Sequence, residues 1–283
     1  MSVRVAVVGT GTMGAGMARS LRRAGLSVAA WNRTRSKSDP LAADDVDVAE
    51  SVTDAVTGAA AVITVLFDLD AVLSVADELT DALGEDAVWL QSATVGPSGA
   101  TRIAEAAAGV ALLDVPVLGT KQPAEDGNLV ALVAGPHGLV ERVEPVLSAI
   151  ATRSVYAGER VGQASALKLA CNAWIASLTA SAAQSLALAT ALGVDPALFL
   201  QAIDGGPTNS PYAQLKGKAM LAGDYPPSFA LDGLVKDIDL MRAAGSDVGF
   251  PPDLLDALHA LFARASGAGY GKQDIAAVRA VFP

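Results

Sequence analysis

The sequence is poor in several residue types, and each scarcity excludes a class of protein. One cysteine, Cys171, occurs among 283 residues, which excludes an intrachain disulfide framework and fits a reducing cytoplasm. The two histidines, His137 and His259, lie far apart and have no clustered cysteines or carboxylates near them, so we expect no metal site. Lys and Arg number 20 against 30 Asp and Glu, and the resulting net charge of −10 argues against nucleic acid as a partner.

No stretch has the pattern of a targeting or membrane segment. The first residues, MSVRVAVVGTGTMG, follow a strand pattern at once and lack the charged head, long apolar stretch and cleavage site of a signal peptide. Residues 169–194 carry no charge, but Ala, Ser, Thr, Gln and Asn make them weakly hydrophobic for lipid. We interpret this run as a long helix buried among other helices or at a dimer interface, and expect a cytoplasmic protein with no membrane partner.

The first half of the chain alternates β-rich runs such as RVAVVG, SVAAW, AAVITVL, DAVWLQ and VALLDVPVL with helical stretches. Near-continuous apolar strands separated by helices predict a parallel sheet covered on both faces. From about Val161 onward the β pattern disappears, and helices broken by Gly- and Pro-rich turns follow. The predicted fold class is α/β, with a Rossmann-type doubly wound domain over residues 1–161 and an all-helical substrate and dimerisation domain over residues 162–283.

A phosphate-binding loop is predicted directly after the first strand. VAVVGTGTMGAGMA places Gly9, Gly11 and Gly14 in G-x-G-x-x-G spacing, with Thr12 and Met13 inside the motif, and it opens an amphipathic helix. The glycines allow a tight turn, a close approach of the backbone to pyrophosphate and close packing of helix on strand, while the helix N-terminus attracts the anion.

The end of the second strand indicates which dinucleotide is bound. NAD-selective sites usually have an acidic residue there, whereas WNRTRSKSD has none before Asp39. Donors to a 2′-phosphate are present instead, and they are Asn32, Arg33, Thr34 and Lys37. The sequence therefore predicts NADP(H), although Arg35 is open to interpretation as an ordinary solvated charge.

Lys168 is the only charged residue between Arg160 and Asp195. One interpretation is a long side chain whose charge reaches water at the helix edge. The other is a catalytic group: hydride delivery to a carbonyl leaves an alkoxide that needs a proton, and apolar neighbours are expected to lower the pKa of a lysine toward a useful range. Asn172 lies at i+4 and so shares its helix face.

A polar loop bracketed by Gly119 and Gly127 follows a strand that ends at Leu118. Such a loop at the carboxyl edge of an α/β sheet can line a ligand crevice, but Gly, Pro and Asp also make ordinary turns, and its residues alone do not choose between the two.

Five motifs, GTGTMGAGMA, SATVGPS, DVPVLGTKQPAEDGNL, GQASALKLACN and FALDGLVKDIDL, occur in the order and spacing of one family. The chain resembles the β-hydroxyacid dehydrogenases over essentially its whole length. These include 3-hydroxyisobutyrate dehydrogenase and the glyoxylate/succinic semialdehyde reductases. The resemblance implies hydride transfer between NADP(H) and a small β-hydroxy acid or its aldehyde or oxo acid, in a cleft between two domains of a homodimer or dimer-based oligomer.

The resemblance also implies roles for individual residues: catalysis for Lys168 and Asn172, with Asn172 also holding the substrate; cofactor contact for Leu66, Phe67, Thr94 and Lys236; and reception of the substrate carboxylate for Gly119 and Thr120. Three positions depart from the family pattern. Leu118 replaces a common serine, which favours a less polar substrate, Phe67 stands where a proline is frequent, and Gln184 stands where an acidic residue is frequent. Two rival functions stay open: an NADPH-dependent imine reductase, disfavoured by Lys168, and a non-catalytic NADPH-binding protein.

Overall fold

A computed structural model describes residues 3–283, and the chain divides into two compact units. The first unit ends at Lys168 and the second begins at Leu169, so the division falls inside one long helix. The predicted domain boundary at residues 161 and 162 lies at the start of the same helix.

The described residues of the first unit form a single sheet. Its strands are β1 Arg4–Val8, β2 Ser27–Trp31, β3 Asp47–Val48, β4 Ala61–Thr64, β5 Val88–Gln91, β6 Ala111–Asp114, β7 Val117–Leu118, β8 Leu129–Ala134 and β9 Ala151–Gly158. Their order is β3-β2-β1-β4-β5-β6-β8-β7, with β9 beside β8, and β1 to β6 pair in parallel. The first six strands thus have the doubly wound order 3-2-1-4-5-6, which confirms the predicted fold class.

Helices cover both faces of this sheet: α1 Thr12–Arg23, α2 Val52–Val56, α3 Leu69–Ala82, α4 Gly96–Ala106, α5 Lys121–Asp126, α6 His137–Arg142 and α7 Glu144–Ile150. Alternate residues of β1 show the two-sided burial. Val5 and Val7 pack in one apolar cluster with α1, and Ala6 and Val8 pack in a second cluster with α2, α3 and α4. All four side chains are fully buried, as expected for a parallel strand covered on both faces.

Two predictions for residues 110–127 were wrong in detail. A single strand was expected over VALLDVPVL, but the structure has two strands, β6 and β7, on either side of Pro116. Proline has no N–H to donate to a neighbouring strand. The Pro116 carbonyl still accepts a hydrogen bond from the Leu132 N–H at 2.9 Å. β8 then pairs antiparallel with both pieces. The polar loop expected between Gly119 and Gly127 is the helix α5, which ends at Gly127 in a left-handed conformation.

The second unit is helical, as predicted. Its elements are α8 Gln163–Ala191, which starts in the first unit, α9 Ala197–Ile203, α10 Pro211–Ala222, α11 Leu231–Asp247, α12 Asp253–Ala265, a π-helical turn Ser266–Tyr270 and a 3-10 segment Ile275–Val281. Phe262, Leu186 and Ile238 are among the side chains at its apolar centre. α8 includes most of the uncharged run 169–194 that was interpreted as a long helix, and it is about 43 Å long at 1.5 Å per residue. Within residues 3–283, no helix has the length and apolar character that crossing a bilayer requires.

Candidate active site

The glycine-rich loop joins β1 to α1 at the carboxyl edge of the sheet. Gly9 has a φ of 103°, and a Cβ there would collide with the carbonyl oxygen of Val65. A Cβ at Gly14 would collide with the carbonyl oxygen of Gly9. At Gly11, by contrast, the space where a Cβ would stand is open, so a ligand can approach the backbone N–H groups at the start of α1.

Asn32, directly after β2, ties the end of that strand to the phosphate loop. Its side-chain oxygen accepts from the Thr10 N–H at 3.1 Å, and its amide donates to the Thr34 carbonyl at 3.0 Å. The Thr10 and Ser38 hydroxyls, both buried, are 3.0 Å apart. These bonds hold the loop and the turn after β2 together as two walls of one recess.

A cavity of about 380 Å³ opens between these walls, beside the carboxyl ends of β1 and β4 where the strand order reverses. Dinucleotides bind at this position in doubly wound sheets. The predicted cofactor residues that line the cavity are Gly11, Thr12, Met13, Asn32, Arg33, Thr34, Lys37, Leu66 and Phe67. Sequence reasoning did not identify the remaining lining residues, Trp31, Val65, Ala71, Ser74 and Val75.

The charged side chains that line this cavity are basic, whereas Asp68 and Asp70 line an adjoining cavity. Arg33 and Lys37 are exposed and line the first of these cavities, and no carboxylate of the described residues does. Arg35 is engaged elsewhere, with Asp39 at 3.1 Å and with Glu50, and does not line the cavity. The residues present therefore fit a dinucleotide that carries an additional phosphate at its adenosine end.

Four predicted cofactor residues lie outside this cavity: Gly9 and Gly14, which shape the turn and the helix packing, and Thr94 and Lys236. Thr94 follows β5 on a loop that Gln91 holds. The Gln91 side chain accepts from the Ala93 N–H and donates to the Ala93 carbonyl, both at 2.8 Å. The Thr64 hydroxyl, which accepts from the Trp89 indole N–H at 2.9 Å, donates to Gln91.

Asp114, the last residue of β6, anchors the start of α8. One carboxylate oxygen accepts from the Gly162 N–H at 3.0 Å and the Ser165 N–H at 2.8 Å, and the other accepts from the Ser165 hydroxyl at 2.8 Å. Burial raises the pKa of Asp114, and these hydrogen bonds act in the opposite direction. The carboxylate thereby satisfies N–H groups that a helix N-terminus leaves without partners.

Lys168 does not extend into open water. The residue is half-buried, and its Nζ donates to the Val117 carbonyl at 2.8 Å. Asp114 and Val117 lie on the same short segment of chain, so this segment contacts α8 both at its start and at the lysine. Gly119 and Thr120 follow directly after it and precede α5.

Gly119 needs the conformational freedom of glycine. Its φ is 126°, and a Cβ would crowd Leu129 and Pro123. Leu118 packs with a small apolar cluster that contains Leu132 and Ala134. Its packing within the fold gives a structural reason for an apolar residue at this position, independent of the substrate.

Asn172, one turn after Lys168 on α8, is fully buried, and its Nδ2 donates to Asp237 Oδ2 at 2.7 Å. The other oxygen of Asp237 accepts from Lys236 Nζ at 2.7 Å. Because a carboxylate can only accept here, the amide of Asn172 must direct its nitrogen toward Asp237. Asn172 Oδ1 is then left buried with no hydrogen-bond partner in residues 3–283.

Comparisons with known proteins identify the family. The family model described as the NAD-binding domain of 6-phosphogluconate dehydrogenase matches residues 4–158, and the one described as NAD-binding of NADP-dependent 3-hydroxyisobutyrate dehydrogenase matches residues 162–282. Glyoxylate/succinic semialdehyde reductase 1 of Arabidopsis thaliana is 32% identical over 98% of this chain and 97% of its own length. The chain belongs to the β-hydroxyacid dehydrogenase family.

Other members of the β-hydroxyacid dehydrogenase family match over a similar extent. L-threonate dehydrogenase of Cupriavidus necator is 31% identical over 100% of this chain and 97% of its own length. The crystal structure of 3-hydroxyisobutyrate dehydrogenase from Salmonella typhimurium has a TM-score of 0.91 and 28% identity, covering 99% of this chain and 100% of that one. The protein is thus an NAD(P)(H)-dependent oxidoreductase of the β-hydroxyacid dehydrogenase type, as predicted.

Imine reductases share the fold at lower similarity. The imine reductase from Myxococcus stipitatus in complex with NADP⁺ has a TM-score of 0.64 and 24% identity, covering 99% of each chain. At this identity the likeness concerns the fold alone.

Sequence reasoning missed Asp114 and Asp237, which hold the predicted β-hydroxyacid dehydrogenase site residues in position. Asp237 had a detectable signal, since it shares a buried stripe of α11 with Leu234, Ile238 and Met241. An acid on an apolar stripe requires a buried partner. Asp114 ends an apolar strand, and nothing in its neighbourhood in sequence indicates that its partners begin at Gly162.

The remaining candidates have other surroundings. Trp174 is 64% exposed, whereas Tyr212 packs against the apolar centre of the second unit. Cys171 is half-buried, and His137 is the first residue of α6. Residues 3–283 contain no cluster of three or more His, Cys, Asp or Glu side chains arranged to hold a metal.

Proposed function

We propose that the protein is an NADP(H)-dependent oxidoreductase that interconverts a short hydroxy acid and its aldehyde or oxo acid, with Lys168 as general acid and base. The names of its relatives support this substrate class: glyoxylate, succinic semialdehyde, L-threonate and 3-hydroxyisobutyrate each combine a carboxylate with a carbonyl or hydroxyl group. The single cysteine fits a reducing cytoplasm, which we propose as its location.

The observation that carries the proposal is the ammonium group of Lys168, half-buried and held 2.8 Å from the Val117 carbonyl, two residues before Gly119. A lysine that only reached for water would leave its charge fully solvated. A backbone carbonyl instead fixes the direction of one N–H of the ammonium group.

When bound, the nicotinamide of the cofactor supplies or accepts the hydride. In the direction of reduction, Lys168 donates a proton to the substrate oxygen as negative charge develops there, and in oxidation it takes that proton back. Asn172 Oδ1, whose amide nitrogen is engaged by Asp237, accepts from the substrate hydroxyl. The Gly119 and Thr120 N–H groups and the Thr120 hydroxyl bind the substrate carboxylate, and Thr94 and Lys236 contact the cofactor.

The preference for NADP(H) rests on the basic end of the cavity. Arg33 and Lys37 supply charged donors to a 2′-phosphate. An acid that would hold the ribose hydroxyls of NAD and repel the phosphate is absent from the cavity lining in the described part of the chain. The backbone at Gly11 is open to the pyrophosphate.

The test is turnover of NADPH by the wild type and by Lys168→Ala with glyoxylate, succinic semialdehyde, 3-oxo acids and a cyclic imine. We expect the wild type to reduce one or more of the carbonyl acids, and Lys168→Ala to lose about 10²–10⁴-fold in kcat, the usual contribution of general acid–base catalysis. Lys218→Ala, an exposed lysine on α10, is the matched control and should keep full activity.

NADPH binding by Lys168→Ala, measured by isothermal titration calorimetry, should match the wild type. Near-full activity in Lys168→Ala would refute the role of the lysine. Reduction of the cyclic imine alone would favour an imine reductase, and no turnover with any compound would favour a protein that binds NADPH without catalysis.

A homodimer is part of the proposal. α8 carries no charge after Lys168, yet Trp174 and Leu188 on it are 64% and 54% exposed, with exposed Ser181 midway between them at seven-residue spacing. An uncharged helical stripe with large exposed apolar side chains suits the same stripe of a second copy across a two-fold axis.

A further inference from the structure

Phe67 is an unusual residue for its place in the fold. It lies in the loop between β4 and α3, at the edge of the sheet where the strand order reverses, and it is 61% exposed. The resemblance to the family leads one to expect a proline at this position. An aromatic side chain in its place adds a flat apolar face at the rim of the dinucleotide cavity.

Phe67 shares this rim with Arg33. Both residues line the cavity of about 380 Å³, and both also line an adjoining one of about 560 Å³. Ala71 and Ser74 of α3 are the other residues common to the two cavities. The junction is therefore bordered by one aromatic ring, one guanidinium group and two small side chains.

These side chains suit a purine base. Aromatic rings stack on nucleobases, and guanidinium groups stack on flat aromatic surfaces while they also bind phosphate. Small side chains at the junction leave width for a flat ligand. The phosphate-binding end of the same cavity, at Gly11, Thr12 and Met13, fixes the direction in which a dinucleotide would lie, with its adenosine toward Arg33.

We propose that the ring of Phe67 stacks on the adenine base of the cofactor, in the recess that it shares with Arg33, and so sets the affinity of this chain for its dinucleotide. The inference rests on the proposed use of NADP(H). It assigns the side chain of Phe67 a role in cofactor affinity, separate from the chemistry at Lys168.

The experiment is calorimetric titration with 2′,5′-ADP, which contains the adenine and the 2′-phosphate but no nicotinamide. Phe67→Ala should weaken its binding about five- to fifty-fold, the range expected for loss of one base-stacking contact. Phe67→Trp retains an aromatic face and should bind within about two-fold of the wild type. Phe250→Ala removes a phenylalanine of the second unit that is 60% exposed, and should leave binding unchanged.

Kinetics give a second readout. Phe67→Ala should raise the KM for NADPH and leave kcat at saturating NADPH unchanged, because Phe67 does not take part in proton transfer. Equal binding by wild type and Phe67→Ala would overturn the inference while leaving the proposed function intact. If Phe67→Ala and Phe67→Trp weaken the binding of 2′,5′-ADP equally, the stacking role is wrong and Phe67 acts through the packing of its loop. Failure of the wild type to bind 2′,5′-ADP would instead overturn the proposed cofactor and this inference together.

Discussion

Replacing Asp114 by alanine should destabilise the protein strongly, because three hydrogen bonds to the start of α8 end on this one buried carboxylate. The substitution leaves the Gly162 and Ser165 N–H groups buried without an acceptor. Each unsatisfied buried donor costs about 1–3 kcal/mol, and loss of a helix cap typically costs about 1 kcal/mol. We therefore expect a decrease of about 3–5 kcal/mol in the free energy of unfolding.

Asparagine at the same position separates hydrogen bonding from charge. Its side-chain oxygen can accept from both N–H groups, and its amide nitrogen can donate to the Ser165 hydroxyl. The free energy of unfolding of Asp114→Asn should therefore lie within about 1 kcal/mol of that of the wild type. The measurement is urea denaturation followed by circular dichroism. A midpoint for Asp114→Ala equal to that of the wild type would refute the anchoring role.

The pH dependence of stability gives an independent check. Burial raises the pKa of Asp114 in the folded protein, so ionisation of the carboxyl costs stability as pH rises through that pKa, and the cost vanishes below its ordinary pKa of about 3.9. Asparagine does not ionise. The unfolding free energy of Asp114→Asn minus that of the wild type should therefore increase with pH over this interval, and a difference that is constant with pH would contradict the reasoning.

Three further predictions concern the cofactor, the oligomer and the second unit. In fluorescence titrations, Arg33→Ala should weaken the binding of NADPH about 10- to 100-fold and the binding of NADH little, as expected for lost bonds to a charged phosphate. Arg35→Ala is the control and should change neither affinity. If the ratio of the NADPH and NADH affinities is unaltered in Arg33→Ala, the assignment of Arg33 to the 2′-phosphate is wrong. Leu188→Asp should convert the proposed dimer to a monomer, as measured by light scattering coupled to gel filtration. A dimer mass that is unchanged in this variant would exclude α8 from the interface. Lys216→Met should cost about 3–5 kcal/mol in urea denaturation because it leaves the buried Asp274 unpaired. Burial alone would raise the pKa of Asp274, but hydrogen bonds from Lys216, Ser228 and the Ala276 N–H outweigh burial and lower the pKa. The stabilisation from the ionised Asp274 should therefore be lost in the wild type as pH falls below about 3.9 and through the folded-state pKa. An unfolding free energy that is the same in Lys216→Met and the wild type would contradict the stabilising role of this ion pair.

The parts of the fold that follow from local sequence were predictable. The glycine spacing after a strand located the loop between β1 and α1, because steric limits at Gly9 and Gly14 depend on nearby backbone. The length of α8 was also predictable, since no Gly or Pro interrupts the chain from residue 163 to residue 191. The prediction that Arg33 and Lys37 line the cavity was possible because both residues follow the end of β2 in the sequence.

The parts that depend on distant partners were not predictable. α5 has only six residues, too few to be stable alone, and it packs against α1 so closely that a Cβ at Gly16 would crowd Ala124 and Glu125. Arg19 of α1 also donates to Glu125 at 2.6 Å. No periodicity within the segment 119–127 reveals these contacts, which are made with residues about a hundred positions earlier.

The two missed acids explain how a helix with one charge can present a lysine in a fixed place. Asp114 holds the first turn of α8 through backbone N–H groups, and Asp237 holds Asn172, one turn beyond the lysine. Both carboxylates act from other elements of the fold, so the helix itself can remain uncharged around Lys168. A carboxylate on α8 itself, one turn from the lysine, would instead pair with the ammonium group, raise its pKa and oppose the proton transfer proposed for it. The absence of any acid between residues 161 and 194 is therefore as much a part of the proposed site as the lysine.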